Sequence, residues 1–340
     1  MSSSSVSDGI LKFVAQYSLY AGYITFSFGV IGNVLNLLVF TQLKQFRTNR
    51  CAFYITIESI SNLIYQIFYI SLTVSASVYG DAITGGTNSW CKYRIILPQM
   101  CALTTFYMIC CSAVDQFFST NYRYNLREMC TLKIGRYFAF VFICFAIIHS
   151  SALGSPYHIQ GTLGCVLSNY VALQYSTYFF YPVLIGLLPI TIASSFSMLA
   201  YHNVRRIVRR QLPIVRRKLD KQITAMVLMR VISYVCLVSP YIIYRIYIIN
   251  YPASSTSMPM AYAIGRLVQA ILISIFITNY IINFYLFIIF SSRFRRQVKF
   301  VLVKKCWERW KYWCCPINNR IEPDNNIEAP NSQVESDENM

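Results

Sequence analysis

Between Arg136 and Arg205 the chain runs 68 residues without one Asp, Glu, Lys or Arg. Soluble domains carry about 25% charged residues, which keep their surfaces in water. A run this long and this uncharged belongs in lipid. The pattern recurs along the chain. Lys12 and Lys44 bracket 31 uncharged residues, 51–80 holds only Glu58, and 95–114 holds no charge. Residues 222–249 carry only Arg230 and Arg245, and 267–292 carry none. A bilayer core about 30 Å thick takes about 20 residues of helix, so each run can span. The longest holds turn formers in its middle, from Gly154-Ser-Pro-Tyr through Gly161 and Gly164 to Asn169, and divides in two. The count is seven. Composition agrees, at 56% apolar and 13% charged.

The basic residues set the orientation. Segments 44–50, 120–136 and 202–221 hold three, four and eight Lys/Arg, whereas 80–92, 156–174 and 250–260 hold one between them, Lys92. The positive-inside rule then puts the N-terminus outside and the C-terminus in the cytoplasm. A net charge of +17 would suggest nucleic acid on a soluble basic face. Here it is confined to short segments between spans, so no nucleic-acid partner is expected. Met1-Ser-Ser-Ser-Ser lacks a basic n-region, so no cleavable signal is expected either. The sequence predicts an all-α membrane protein, a seven-transmembrane helix bundle with a short amphipathic cytoplasmic eighth helix. Its expected parts are an extracellular N-terminus (1–15), the bundle (16–291), the amphipathic helix (292–316) and a disordered acidic tail (317–340).

With that topology the twelve cysteines sort themselves. Cys51, Cys101, Cys110, Cys111, Cys144 and Cys236 fall in spans, and Cys130, Cys306, Cys314 and Cys315 fall on the reducing side. Only Cys91 and Cys165 face an oxidising compartment, and they are expected to pair. Catalytic patterns do not emerge. His149, His158 and His202 sit at different levels and in no metal-binding spacing, and no nucleophile elbow or Walker loop occurs. The chain reads as neither an enzyme nor a metal or cofactor carrier.

Several residues at family spacings make the chain resemble a rhodopsin-like (class A) G-protein-coupled receptor, of a divergent invertebrate type, over about residues 16–316. Gly32-Asn33 matches the first-span Gly-Asn pair, and Cys91 and Cys165 match the outer disulfide. Asp115-Gln116-Phe117 stands where the family has Asp-Arg-Tyr. Pro189 and Pro240 match the prolines of the fifth and sixth spans. Asn283-Phe284-Tyr285-Leu286-Phe287 stands at Asn-Pro-x-x-Tyr, and Phe294-Arg295 opens the eighth helix. The resemblance implies a plasma-membrane receptor for an extracellular ligand that signals to a heterotrimeric G protein. It implies an activation core of Asn33, Asn62, Asp115, Gln116, Pro240, Asn283 and Phe287. Four positions depart from the family: Asn62 replaces its sodium-site acid, Gln116 its third-span arginine, Val238 its aromatic switch and Phe284 its seventh-span proline.

Blander readings stand beside these. Asn33 and Asn283 also suit plain helix–helix hydrogen bonding, worth about 0.6 kcal/mol in membranes. Asp115 is either a solvated rim charge or a partner for Arg123 or another base of the second inner loop. A seven-span channel or transporter and a non-signalling seven-helix scaffold remain the alternatives to a receptor.

Ligand class is narrowed by absences. Pro98 occupies the position where amine receptors carry an aspartate, and Ile277 that of the opsin lysine. The outer half offers Tyr181, Tyr241, Tyr244, Arg245, Arg266 and Gln269, a cation-and-aromatic set suited to an anionic or peptide ligand. The alternative is an interfacial tyrosine belt. At the inner face Arg123, Arg209, Arg210, Arg216 and Arg217 would meet a G protein. Phe300, Val303, Trp307 and Trp310 recur at helical spacing among bases, an interfacial helix for anionic membrane lipid. Cys306, Cys314 and Cys315 there are candidates for palmitate. Finally, Glu58 and Arg230 are the charges deepest in the cytoplasmic halves of their spans; the resemblance puts them at similar levels facing inward near Asn283, and a contact between them, direct or through one water or Asn283, is expected. Otherwise Arg230 snorkels to the headgroups.

Overall fold

The computed structural model describes residues 3–47, 49–83, 87–121, 123, 131–160, 164–167, 169–207, 214–250 and 259–306. Its first unit, Met1–Gln297, is a bundle of long helices. Helix α1 spans Ser3–Gln42 and is followed by one turn, α2 (Lys44–Arg47). Then come α3 (Arg50–Ile83), α4 (Asn88–Ser119) and α5 (Leu132–Gly154). A hairpin of β1 (Tyr157–Gln160) and β2 (Gly164–Leu167) precedes α6 (Tyr170–Tyr175), which runs through a π-helical stretch, Ser176–Leu187, into α7 (Leu188–Ile207). Helices α8 (Ile214–Asn250), α9 (Pro259–Thr278), α10 (Asn283–Phe290) and α11 (Ser292–Lys299) complete the order. α1 begins at Ser3, so most of the expected 1–15 segment is already helical.

Among the described residues six helices are long and apolar enough to cross a membrane: Ser5–Gln42, Asn88–Ser119, Leu132–Gly154, Tyr170–Arg205, Lys221–Ile248 and Pro259–Thr278. Helices satisfy their own backbone, which lipid demands. α3 is also long, at 34 residues, and its polar residues Glu58, Ser61, Asn62 and Gln66 are buried. α4 is the central element, packing against α3, α5, α7 and α8. Two thirds of its apolar window is buried, against 17% for α9. Helix α5 closes on it through Gly154, where a Cβ would come within 2.2 Å of Ile96 Cγ1.

Proline placement shapes the α6–α7 helix. Pro189 has no N–H to give Ile185, four residues back. That carbonyl instead accepts the hydroxyl of buried Tyr234 at 2.9 Å. Between α9 and α10 the chain tightens without proline: Asn279, Tyr280 and Ile281 bond three residues back, to Phe276, Ile277 and Thr278. Gly32 lets α1 approach this turn, since a Cβ there would lie 3.3 Å from the Ile281 carbonyl.

The hairpin was not expected. Its strands pair antiparallel, Ile159 opposite Cys165. Cys165 is disulfide-bonded to Cys91 at the start of α4, with the Cα atoms 5.5 Å apart. The Ile159 amide also donates to Asn88 Oδ1 at 3.0 Å. At the other end of the chain, Ser291 starts α11, its hydroxyl accepting from the Phe294 amide. Arg295 caps the carbonyls of Ile288 and Ile289. The second unit is Val298–Met340, of which the π-helical Phe300–Cys306 is described.

Candidate functional site

A cavity of about 170 Å³ opens at the hairpin end of the bundle. Its walls come from five elements: Tyr65 of α3, Arg94 and Gln99 of α4, Tyr181 of the π stretch, Tyr241 of α8 and Phe276 of α9. The aromatics support one another. Tyr65 stacks on Tyr280 at 4.2 Å, and Tyr241 meets Phe276 at 4.5 Å. Arg245, one turn beyond Tyr241, lies over the Tyr181 ring at 4.8 Å, and its Nη2 donates to the Tyr181 hydroxyl at 3.1 Å. The Arg245 Nε–H is buried without an acceptor, as is Gln99 Oε1 without a donor. From the hairpin, Tyr157 comes within electrostatic reach. Burial pushes its phenol up to about 12, Tyr181 adds to the rise, and Arg245 opposes it.

Of the expected ligand residues, Tyr181 and Tyr241 line this cavity and Arg245 borders it. Tyr244 instead donates to the Gly265 carbonyl at 2.6 Å, tying α8 to α9. Arg266 bonds Gln269 at 3.2 Å on an exposed face, outside the lining. Arg94 and Gln99 were missed. Yet Arg94, Pro98 and Ala102 recur at four-residue steps, the spacing of one helix face.

Below the cavity a ladder of buried polar groups crosses the bundle. Thr105 donates to Asn62 Oδ1 at 2.9 Å, Asn62 to Asn33 Oδ1 at 3.4 Å, and Asn33 to the Tyr280 carbonyl at 2.9 Å. The last acceptor belongs to the tightened turn. One rung further lies the ion pair. Arg230 Nη2 and Nε reach Glu58 Oε1 at 2.7 and 2.9 Å, and Asn283 Nδ2 donates to the same oxygen at 2.8 Å. Arg230 Nη1 donates to Asn279 Oδ1 at 2.7 Å. Both charged side chains are 3% exposed, so Arg230 does not snorkel. A charge so buried is tolerated only when paired and hydrogen-bonded.

Toward the far end, Gln116 Nε2 donates to Thr224 Oγ1 of α8 at 2.5 Å. The ion partner of Asp115 is Arg50, at 3.0 Å from the first turn of α3, and not a base of the second inner loop. That partner is close in space through α3–α4 packing, which nearness in sequence does not reveal. The single S–H of Cys51 has Asp115 Oδ2 and Gln116 Oε1 within reach as acceptors, at 3.3 and 3.2 Å. Phe287 is buried against Phe40 and Phe294. Pro240 sits inside α8 and Val238 is buried. Arg123 is exposed. Arg209, Arg210, Cys314 and Cys315 lie outside the described residues, as do the side chains of Arg216, Arg217 and Cys306.

Among the described residues no three His, Cys, Asp or Glu side chains gather as metal ligands. Compared with protein-family models, the chain matches none, and no curated protein matches it in sequence.

Proposed function

We propose that the chain is a seven-span receptor of the plasma membrane, divergent from the rhodopsin-like class, that binds a small extracellular ligand and signals to a heterotrimeric G protein. In this reading α3 joins the six apolar helices as the second span in chain order, its polar residues serving the interior. The hairpin end is extracellular, which suits its disulfide. The far end is cytoplasmic, next to the basic segments 44–50, 120–136 and 202–221. Helix α11 begins the interfacial segment that the bases and tryptophans beyond it would seat on anionic lipid.

The observation that carries the reading is the buried ladder between cavity and far end. Three of its ties hold α8: Tyr234 to Ile185, Arg230 to Glu58, and Gln116 to Thr224. Movement of α8 must break or re-form bonds along its length, so a ligand touching Tyr241 can bias the distant end. The resemblance assigns the third-span tie to an arginine. Here Gln116 makes a neutral one, and the buried Glu58–Arg230 pair supplies the charge.

The test is G-protein recruitment and nucleotide exchange against a broad ligand panel, with conductance measured in the same cells. Ligand-dependent recruitment without current supports the receptor. Current without recruitment overturns it for a channel or transporter, and ligand binding with neither overturns it for a scaffold. Neutralising Arg209, Arg210, Arg216 and Arg217 together should weaken recruitment while leaving orientation intact.

A further inference from the structure

We infer that the cavity takes a small aromatic carboxylate bearing a ring hydroxyl or N–H. The inference rests on the reading of this cavity as the ligand site, and deepens it by naming the chemistry.

Volume sets the scale. An apolar cavity of about 150 Å³ accepts a benzene ring, whereas drug-sized ligands occupy about 300–1,000 Å³. At about 170 Å³ the space holds one ring with a small substituent and excludes a folded peptide.

Charge sets the sign. Arg94 lines the cavity and Arg245 borders it. The described carboxylates Asp115 and Glu58 are taken by Arg50 and Arg230, and neither Arg94 nor Arg245 is paired with them. The described lining holds no carboxylate, so the Arg94 guanidinium stands in the wall with no anion of the lining beside it. A carboxylate matches that fork with two charge-assisted hydrogen bonds, and beside the wall the buried Nε–H of Arg245, whose guanidinium rests on the lining residue Tyr181, has no acceptor. An ammonium ligand would meet Arg94 in the wall and Arg245 behind Tyr181, with no carboxylate in the described lining.

Walls and the remaining polar atom set the shape. Tyr65, Tyr241 and Phe276 present ring faces and edges, which suit a flat ring over a branched aliphatic chain. Gln99 Oε1, buried and without a donor, calls for a ligand O–H or N–H away from the carboxylate.

The full chain, purified in nanodiscs, can be titrated with 4-hydroxybenzoate, benzoate and indole-3-acetate, followed by calorimetry and by the rise in Tm. The neutral 4-hydroxybenzamide and the cationic 4-hydroxybenzylamine are the controls. We expect saturable binding of 4-hydroxybenzoate and none of the controls at the same concentration. Arg245→Gln and Arg94→Gln should each weaken it about tenfold or more, the scale of a lost hydrogen bond to a charged group. Gln99→Leu should remove the preference for 4-hydroxybenzoate over benzoate. Lys92→Gln, which changes a charge outside the cavity lining, should leave binding as it was. Equal binding of the amide, binding of no acid in the set, or an equal loss in Lys92→Gln overturns the inference. Since Arg245→Gln could perturb packing on Tyr181, Arg245→Lys serves as a second variant and should retain part of the affinity. Binding is read without G protein. Acid binding that leaves nucleotide exchange unmoved therefore upholds this inference while counting against the receptor reading.

Discussion

Glu58 and Arg230, 172 residues apart in sequence, meet at 2.7 Å in the bundle interior, and one oxygen of Glu58 receives donors from both Arg230 and Asn283. The pair joins α3 to α8 while Asn279 and Asn283 bring in the turn between α9 and α10. Three helical elements therefore share one buried charge centre. Its strength depends on all four side chains being present, because a guanidinium or carboxylate left alone there keeps its full desolvation cost.

Glu58→Gln and Arg230→Gln should each cost about 3–5 kcal/mol of stability, the usual result of removing one member of a buried pair. Thermal unfolding in detergent measures it. The double mutant should lose less than the sum, by about 0.5–3 kcal/mol. Strict additivity would dismiss the pair as an energetic unit.

Thr224→Val removes the hydroxyl that accepts from Gln116 and leaves the buried amide short of that partner. We expect about 1–3 kcal/mol of destabilisation and higher ligand-independent nucleotide exchange. A variant as stable and as quiet as the parent would show that this bond does not restrain α8.

Cys91→Ser should release the hairpin from α4. Small secreted domains lose about 2–5 kcal/mol with a native disulfide, so surface expression should fall. Protease sensitivity should rise between Gly154 and Asn169. Alkylation of either cysteine in folded, non-reduced protein would show the bond is not formed.

Gly154→Ala should destabilise by about 1–3 kcal/mol, as overpacking does, because its Cβ would collide with Ile96. Ile96→Ala in the same chain should recover most of the loss. If Gly154→Ala alone unfolds at the parental Tm, α5 and α4 are not so closely packed there.

Much of this was legible from charge spacing, since lipid leaves so few places for charged side chains. The run from Lys12 to Lys44 falls almost wholly in α1, and the one between Arg136 and Arg205 holds most of α5, the hairpin and most of the α6–α7 helix; the same scarcity made Glu58 and Arg230 conspicuous as partners. α3 was legible as a length, and it carries Glu58, Asn62 and Gln66 inside its span because they serve the interior. The hairpin was not legible: four-residue strands are too short for alternation to register. Nor was the bond from Arg50 to Asp115, which depends on how α3 lies against α4. In the cavity, the tyrosines announced themselves by abundance, while Arg94 and Gln99 were passed over beside Pro98. Their spacing along α4 was available, but only a bundle says which face of a central helix is hollow.

The turn between α9 and α10 has a mechanical corollary. Asn279 is both a residue of that turn and the acceptor for Arg230. Straightening the turn would carry its side chain off the guanidinium, and swinging α8 outward would pull on the turn. The two motions share a single joint. A push delivered to α9 at the cavity is geared directly to α8, and the amide of one asparagine is the tooth of that gear.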